Sequence, residues 1–249
     1  MKYEGKTAVV VGGSSGIGRA TAEILVKNGA KVFVVGRNED KTAETVSSLR
    51  KSGEAEGFAY DITDRDQTDS LIEKIAGFSS VDMLVNAAGV FVPKPFLEQT
   101  LEDYDSYLDI NRGLFFVTQA VAEKMKETGG GQIVNIGSMW AKQAVKATPS
   151  SSYSMAKAGL HSLTQHLAME LAEFNIRVNA VSPAVVETPV YEAFIPRDDV
   201  KEALQGFNEF HPIGRIGKAE EIAKSIEFLP ALLVQILVLN VFWKRLDSN

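Results

Sequence analysis

Short apolar segments alternate with longer, helix-like segments along most of this chain, and no linker interrupts the series. The pattern predicts strands at residues 6–11, 31–36, 55–60, 81–85, 131–137 and 176–181. It predicts helices at residues 16–28, 38–52, 64–77, 100–127, 152–174 and 219–229. Strands that alternate with helices form a parallel sheet, because each helix returns the chain to the same edge. We therefore predict a single α/β domain over residues 1–249, with a doubly wound parallel sheet and helices on both faces.

The composition limits the classes of function. A chain of 249 residues with 45% hydrophobic residues can enclose one large core. A net charge of -6 gives no basic field for nucleic acid. The absence of cysteine excludes disulfides and thiolate metal sites, and the three histidines lack carboxylates at ligand spacing, so no metal site is predicted. The N-terminus has no apolar signal segment, so we expect a cytoplasmic protein.

A glycine-rich loop lies directly between the first predicted strand and the first predicted helix. Glycines let the backbone approach a pyrophosphate, and the amides at the start of a helix face the anion. Such a loop can also be an ordinary tight turn, but its position after the first strand favours a dinucleotide site. The predicted cofactor-binding residues in this loop are Gly12, Ser14, Ser15, Gly16, Ile17 and Gly18.

The end of the second predicted strand indicates which dinucleotide binds. An acidic residue there would accept hydrogen bonds from the adenosine ribose and favour NAD. This strand ends in Gly36, which leaves space, and Arg37, whose guanidinium can grip a 2′-phosphate with help from Ser14 or Ser15. We therefore predict NADP as the preferred cofactor, with NAD possible if Arg37 is only a solvated loop residue.

Tyr153 and Lys157 are four residues apart, which places both on one face of a helix. A lysine ammonium beside a phenol favours the phenolate, so we expect the pKa of Tyr153 to fall below its usual ~10. A tyrosine tuned in this way can exchange a proton during carbonyl–alcohol interconversion. The pair by itself is weak evidence, since the same spacing occurs on many solvated helices.

Three further features support the pair, in a fixed chain order. The segment Asn86-Ala87-Ala88-Gly89 follows the fourth predicted strand, Asn111 lies in a helix, and Ser138 follows the fifth strand. With the glycine loop and Tyr-x-x-x-Lys, they make the chain resemble the short-chain dehydrogenase/reductase family over roughly residues 4–229. The resemblance implies a Rossmann-type fold and hydride transfer between nicotinamide and a carbonyl carbon.

The resemblance also implies a role for each catalytic candidate. Tyr153 would be the general acid in reduction and the general base in oxidation. Lys157 would hold the nicotinamide ribose and lower the pKa of Tyr153. Ser138 would hydrogen-bond the substrate oxygen, and Asn111 would place a water in a proton relay behind Lys157, although Asn111 could instead be a structural residue of its helix.

Further cofactor contacts follow from the same resemblance. Asp61 would meet the adenine amino group, although it could instead cap the helix that starts near Asp64. The remaining residues implied as cofactor contacts are Ile62, Asn86, Ala88, Gly89, Tyr153, Lys157, Pro183, Val186 and Thr188.

The substrate is weakly specified by the sequence. Residues 189–210 occupy the position of the family's substrate lid and carry several aromatic side chains. Ser138, Trp140, Tyr191 and Phe194 are the predicted substrate contacts, although these aromatic residues could equally pack between lid helices. A medium-sized ketone, a sugar lactol or a β-ketoacyl thioester would be compatible with them.

The C-terminal segment departs from the family pattern, which stops near Leu229. Residues 230–249 form an apolar tail that is too short for a confident membrane span. We hypothesise that a frame change or sequence error replaced the natural tail; an interfacial anchor or a sticky interface is the alternative. Residues 234–239 could still occupy the position of a seventh strand.

These features predict an NADP-dependent oxidoreductase that acts on a small carbonyl or alcohol substrate. We expect a homo-oligomer, a tetramer or a dimer, and neither nucleic acid nor a membrane as partner. The alternatives are an NAD-dependent alcohol or sugar dehydrogenase, and a dinucleotide-binding sensor that does not turn over substrate.

Overall fold

A parallel sheet of seven strands is the centre of the protein in a computed structural model that describes residues 1–146, 148–211, 213–229 and 238–241. The strand order is β3-β2-β1-β4-β5-β6-β9, and every neighbouring pair is parallel. The strands are β1 (Thr7–Val11), β2 (Lys31–Gly36), β3 (Ala55–Ala59), β4 (Met83–Asn86), β5 (Gly131–Ile136), β6 (Ile176–Pro183), β7 (Val186–Glu187), β8 (Gly217–Lys218) and β9 (Val238–Val241). Strands β7 and β8 form a separate small sheet.

Helices connect consecutive strands and cover both faces of the sheet. They are α1 (Gly16–Lys27), α2 (Glu39–Leu49), α3 (Arg65–Ala76), α4 (Leu101–Thr128), α5 (Ser151–Glu170), α6 (Val200–Gln205) and α7 (Ala219–Phe228). The predicted α/β fold with a doubly wound sheet is therefore confirmed. The predicted helix at 152–174 ends early, because the chain turns into a short 3-10 segment at Ala172–Phe174 and then adopts a left-handed conformation at Asn175.

The two sheet faces bury separate hydrophobic clusters, as the two-residue period of a strand requires. In β1, Ala8 and Val10 pack into one cluster, with side chains of α1 and α7. Val9 and Val11 pack into the other cluster, with side chains of α3 and α4. The continuous apolar sequence of β1 thus reflects a strand that is buried on both faces.

The tail contributes a strand to the sheet. Residues 238–241 pair with β6 in register from Ala180 opposite Val238 to Pro183 opposite Val241. A strand in the seventh position was considered for residues 234–239, of which only the last two belong to β9. The rest of the predicted tail, residues 230–237 and 242–249, lies outside the described residues. The frame change, the interfacial anchor and the interface considered for this tail stay predictions. In the described part of the chain, no helix is long and apolar enough to cross a membrane.

The strand order reverses direction at β1. The chain moves from β1 outward to β2 and β3, then returns to β4 on the other side of β1. The loops after β1 and β4 therefore diverge at the carboxyl edge of the sheet and leave a crevice between them. This crevice is the place where a ligand can contact several strand ends at once.

Helix α4 approaches the loop after β3 closely at Gly113. A Cβ atom at this position would lie 2.1 Å from the carbonyl oxygen of Ile62. Gly159, in α5, is a helical glycine with room, since a Cβ there would have its nearest contact at 3.8 Å, on Asn111 Nδ2. The two positions form a matched pair for testing the packing.

Gly113→Ala should lower the free energy of unfolding by about 1–3 kcal/mol, because backbone must shift to admit the methyl group. Gly159→Ala should leave it unchanged or raise it by about 0.5–1 kcal/mol through helix propensity. Urea denaturation followed by circular dichroism measures both. Equal effects of the two substitutions would contradict the packing described for α4.

Candidate active site

A cleft of about 640 Å³ opens at the carboxyl ends of the parallel strands. Most of the predicted site residues line it: Gly12, Ser14, Ser15, Gly16, Ile17, Arg37, Asp61, Ile62, Ala88, Gly89, Ser138, Trp140, Tyr153, Lys157, Pro183, Val186, Thr188 and Tyr191. Four predicted residues are absent from its wall, namely Gly18, Asn86, Asn111 and Phe194.

The glycine loop at one end of the cleft is shaped by two close backbone contacts. Gly12 has a φ of +78°, and a Cβ on it would lie 2.5 Å from the backbone nitrogen of Ala88. A Cβ on Gly18 would lie 2.2 Å from the carbonyl oxygen of Gly12. Gly18 therefore supports the loop from behind. Ser15 is the N-cap of α1, and its side chain makes no capping hydrogen bond, so α1 presents amides toward the cleft.

Two cations lie beyond this loop, next to the end of β2. Arg37 and Lys41 are exposed and line the cleft. Neither side chain forms an ion pair with a residue in the part of the chain that the structure describes. Sequence reasoning missed Lys41, although its place in the first turn of α2, four residues after Arg37, puts both cations at one helix start.

Gly36 is packed closely against two hydroxyl side chains at the end of β2, where an acidic residue would favour NAD. A Cβ there would lie 2.6 Å from Ser14 Oγ and 2.7 Å from Thr42 Oγ1. Both neighbours are side chains in a packed contact, so any larger residue requires them to move. The geometry at the end of β2 thus leaves Arg37 and Lys41 as the charged groups facing this part of the cleft.

Asp61 lies two residues after β3 and beside the end of β2, since the Tyr60 nitrogen donates to the Gly36 carbonyl oxygen at 3.0 Å. Its Oδ1 accepts hydrogen bonds from the Thr63 backbone nitrogen at 3.0 Å and from Thr63 Oγ1 at 2.8 Å. The helix cap considered for Asp61 is provided instead by Asp64, which accepts from the Gln67 nitrogen. Asp61 therefore retains its place on the cleft wall.

Ser138, Tyr153 and Lys157 meet at the other end of the cleft. Ser138 follows β5 and its hydroxyl oxygen accepts from the Trp140 backbone nitrogen at 3.2 Å. Tyr153 lies on α5 and hydrogen-bonds Ser138. Lys157, one turn later on the same helix, donates to the carbonyl oxygen of Ile136 at 2.7 Å. Strand β5 therefore positions the hydroxyl of Ser138, which lies two residues beyond its end, and the Lys157 ammonium group, which it binds.

The electrostatics of this group differ from the sequence prediction. Burial raises the pKa of Tyr153 to about 12, against a smaller lowering by the hydrogen bond from Ser138. Burial lowers the pKa of Lys157 to about 8. The predicted fall in the pKa of Tyr153 is therefore wrong for the protein without a ligand. Burial disfavours the phenolate of Tyr153 and the ammonium of Lys157 alike. Lys157 Nζ lies 5.9 Å from the centroid of the Tyr153 ring and points to Ile136.

Two predicted asparagines have structural surroundings. Asn86 is buried at the end of β4, where its Nδ2 donates to Thr118 Oγ1 and Asn135 Oδ1, both at 2.8 Å. Its side chain ties β4 to α4 and β5, and the residue is absent from the cleft wall; its contact with a cofactor stays a prediction. Asn111 Nδ2 donates to the carbonyl oxygen of Ala156 at 2.8 Å and thus lies behind Lys157, between α4 and α5. The water that it was predicted to place stays a prediction.

A buried histidine–serine pair lies below the catalytic candidates. His161 Nε2 and Ser182 Oγ are 2.7 Å apart. Burial lowers the pKa of His161 to about 4, with smaller contributions from Lys142 and Lys157. Sequence reasoning noted His161 only as a residue without metal-ligating neighbours. Its partner, Ser182, lies near the end of β6. The sequence alone does not indicate that this strand end lies beside α5.

Aromatic side chains enclose the outer side of Tyr153. The Phe91 ring lies 4.9 Å from the Tyr153 ring, and the Tyr107 ring lies 5.7 Å from it on another side. The predicted lid residues Tyr191 and Phe194 both pack against Phe91. Phe91 and Tyr107 were missed, because an aromatic residue after a strand or in a helix carries no distinctive sequence signal.

The described residues contain no group of three histidine, aspartate or glutamate side chains able to hold a metal ion. The charged and proton-exchanging groups that line the cleft are Arg37, Lys41, Asp61, Glu192 and the Ser–Tyr–Lys set, beside the loop amides. This arrangement can hold a phosphorylated ligand at one end and exchange a proton at the other.

Comparison with known proteins identifies the family. Residues 6–198 match the family model described as short chain dehydrogenase. The chain is 36% identical over 237 residues to the 3-oxoacyl-[acyl-carrier-protein] reductase FabG of Thermotoga maritima, with 92% of each chain covered.

Solved structures give the same result. L-sorbose reductase from Gluconobacter frateurii, complexed with NADPH and L-sorbose, superposes with a TM-score of 0.88 at 29% identity and covers 100% of both chains. An NAD+-bound xylitol dehydrogenase superposes with a TM-score of 0.87 at 26% identity, covering 98% of this chain and 100% of its own. The protein is an oxidoreductase of the short-chain dehydrogenase/reductase family.

Proposed function

We propose that this protein is an NADP(H)-dependent oxidoreductase that interconverts a carbonyl group and a secondary alcohol, with Tyr153 as the general acid and base. The observation that carries the proposal is one continuous cleft with Arg37 and Lys41 at one end and Ser138, Tyr153 and Lys157 at the other. The first set suits a phosphorylated adenosine, and the second suits a carbonyl oxygen.

The residues of the cleft fit a dinucleotide. The close contacts of Gly12 leave the loop without side-chain bulk where a pyrophosphate would lie. Arg37 and Lys41 would hold a 2′-phosphate, with Ser14 and Ser15 as further donors. Asp61 and Ile62 would flank the adenine, and the segment after β6, with Pro183, Val186 and Thr188, would border the nicotinamide. The bound cofactor supplies or removes the hydride at the substrate carbon.

The chain's own residues control the proton. In reduction, the Tyr153 hydroxyl donates its proton to the substrate oxygen while the carbon accepts a hydride, so a C=O becomes a CH–OH. A pKa of about 12 keeps Tyr153 protonated at neutral pH, which suits a proton donor. Ser138 can donate a hydrogen bond to the same oxygen as negative charge develops. Lys157 would hold the nicotinamide ribose, and its hydrogen bond to the Ile136 carbonyl oxygen fixes its position one helical turn after Tyr153.

Tyr153→Phe should abolish turnover, with a loss in kcat of about 10²–10⁴-fold or more, because only the proton donor is removed. The affinity for NADPH, measured by fluorescence titration, should change by less than about twofold, since the ring remains. Tyr107→Phe is the matched control: its hydroxyl bonds only the Val92 backbone among the described residues, and the variant should keep most activity. Unchanged turnover in Tyr153→Phe would contradict the mechanism and favour a non-catalytic sensor.

Arg37→Met and Lys41→Met should each weaken NADPH binding by about tenfold, because each removes a charged hydrogen bond to the 2′-phosphate. Binding of NADH, which lacks that phosphate, should be unaffected. Lys51→Met removes an exposed charge just after α2 and should alter neither affinity. Tighter binding of NADH than NADPH by the unsubstituted protein would contradict the cofactor proposal and leave the oxidoreductase class in place.

We also propose that the protein forms a homo-oligomer. Large apolar side chains are exposed along α4 and just before it, including Leu97 at 94% and Phe115 and Phe116 at 44% each. Monomeric proteins rarely expose contiguous apolar surface of this kind. A second copy of the chain would bury these side chains on both partners at once.

Sedimentation velocity should therefore show a species larger than the 27.1 kDa chain. The double variant Phe115→Glu/Phe116→Glu should shift the distribution toward the monomer, since burying two carboxylates is costly. A monomeric sedimentation coefficient for the unsubstituted protein at micromolar concentrations would contradict this proposal.

A further inference from the structure

The part of the cleft that would receive the substrate is walled by aromatic rings. We call Phe91, Trp140 and Tyr191 the aromatic wall. The Phe91 ring lies 6.2 Å from the Trp140 ring and 6.3 Å from the Tyr191 ring, and all three line the cleft. Phe91 also meets Tyr153 edge-on at 4.9 Å with an interplanar angle of 70°. The proposed proton donor is thus reached along aromatic surface, which favours flat or cyclic carbon skeletons.

The charges of the cleft are separated along its length. Five charged residues line it. Arg37, Lys41 and Asp61 belong to the adenosine end, and Lys157 is held by Ile136 beside the proton donor. Among the described lining residues, Glu192 is the only charged side chain that comes from the lid. Arg197 Nε lies 3.8 Å from the Glu192 carboxylate, and the Arg197 side chain is largely exposed to solvent. An anionic substrate would therefore meet a carboxylate at the lid and no lining cation there.

Two buried polar atoms near the aromatic wall have no partner. Trp140 Nε1 and Thr148 Oγ1 form no hydrogen bond within the described residues, although Trp140 is 9% and Thr148 7% exposed. Both residues line the cleft. Buried polar groups are nearly always paired, and an unpaired one costs about 1–3 kcal/mol. Both atoms are covered by protein, so an acceptor atom on a ligand that enters beneath the lid would reach the indole N–H as the covering side chains shift, and the Thr148 hydroxyl can donate or accept.

We infer that the substrate is an uncharged ring ketone, alicyclic or aromatic, that carries a second oxygen atom away from the reacting carbonyl. The inference rests on the proposed function of Tyr153. One oxygen would lie at Tyr153 and Ser138, the ring would lie against the aromatic wall, and the second oxygen would accept from Trp140 Nε1. In the reduction, the reacting carbonyl carbon gains a hydride from the nicotinamide and the carbonyl oxygen gains a proton from Tyr153, which gives a CH–OH group.

The same surfaces disfavour the other substrate classes that suit the fold. An open-chain sugar brings several hydroxyl groups, each of which loses water and needs a partner. Among the described residues that line the cleft, the buried side-chain atoms without a partner are Trp140 Nε1 and Thr148 Oγ1. A keto acid or a phosphorylated thioester carrier brings negative charge, for which the lid side provides Glu192.

Four probe ketones separate these classes with NADPH as the reductant: cyclohexane-1,4-dione, cyclohexanone, L-sorbose and acetoacetate. We expect kcat/KM for the two rings to exceed that for the sugar and the keto acid by at least about tenfold. The dione should exceed the monoketone by about fivefold after correction for its two equivalent carbonyls, as expected for one additional hydrogen bond.

Trp140→Phe tests the second oxygen directly. It keeps an aromatic ring but removes an N–H that no described residue uses, so folding should be preserved. The variant should lose the preference for the dione over cyclohexanone. The readout is the ratio of the two kcat/KM values, because the smaller ring of phenylalanine reduces the apolar contact with both substrates alike. Phe91→Leu should lower kcat/KM for both rings, because it removes ring surface from the aromatic wall. It also removes the edge contact with the Tyr153 ring, so kcat and KM are measured separately.

Binding is measured in parallel, as the shift in melting temperature that each ketone causes with saturating NADP+. A ring-selective shift without turnover would support this inference and contradict the proposed function. Turnover of L-sorbose or acetoacetate in preference to both rings would overturn this inference and leave the proposed function standing. A preference for the dione that survives in Trp140→Phe would overturn the assigned role of Trp140.

Discussion

The contact between the loop after β1 and the segment after β4 determines the position of everything else in the cleft. Gly12 approaches the Ala88 backbone so closely that any Cβ would lie 2.5 Å from its nitrogen, and Gly18 supports Gly12 from behind. This contact forms where the strand order reverses, so the two loops that it joins lead to opposite halves of the sheet. Side chains at either position would separate the phosphate-binding loop from the strand ends that carry the proton-transfer groups.

Burial of the Tyr153–Lys157 pair makes both charged forms unfavourable, and this has a consequence for function. The pKa of the phenol rises and that of the ammonium falls, so neither group gains from the other at its distance in the polypeptide. Lys157 instead has a fixed partner in the Ile136 carbonyl oxygen. A site of this kind responds strongly to any ligand charge placed between the two groups, because the low local dielectric that disfavours them also strengthens new interactions.

The sequence predicted the order of elements well, since long periodic segments such as α4 and continuous apolar runs such as β1 have strong local signals. Motifs at strand ends were also found, because a parallel sheet brings them to one edge. The side-chain partners of Asn86 were not predicted, since only the fold shows that Asn135 and Thr118 surround it. Phe91 and the His161–Ser182 pair depend on contacts between distant segments, for which a single sequence contains no signal, whereas Lys41 had a local signal in its position four residues after Arg37.

Strand β9 shows that the amino-acid sequence of an edge strand is less constrained than that of a central strand such as β1. Strand β6 needs hydrogen-bond partners on its outer side, and a short apolar segment can supply them through its backbone. Residues 238–241 do so in register with Ala180–Pro183, although the surrounding tail lacks the family's usual pattern. Pro183 borders the proposed nicotinamide site. The position of that segment therefore depends on backbone pairing with β9, which many apolar sequences can provide, so this part of the site can persist when the tail sequence diverges.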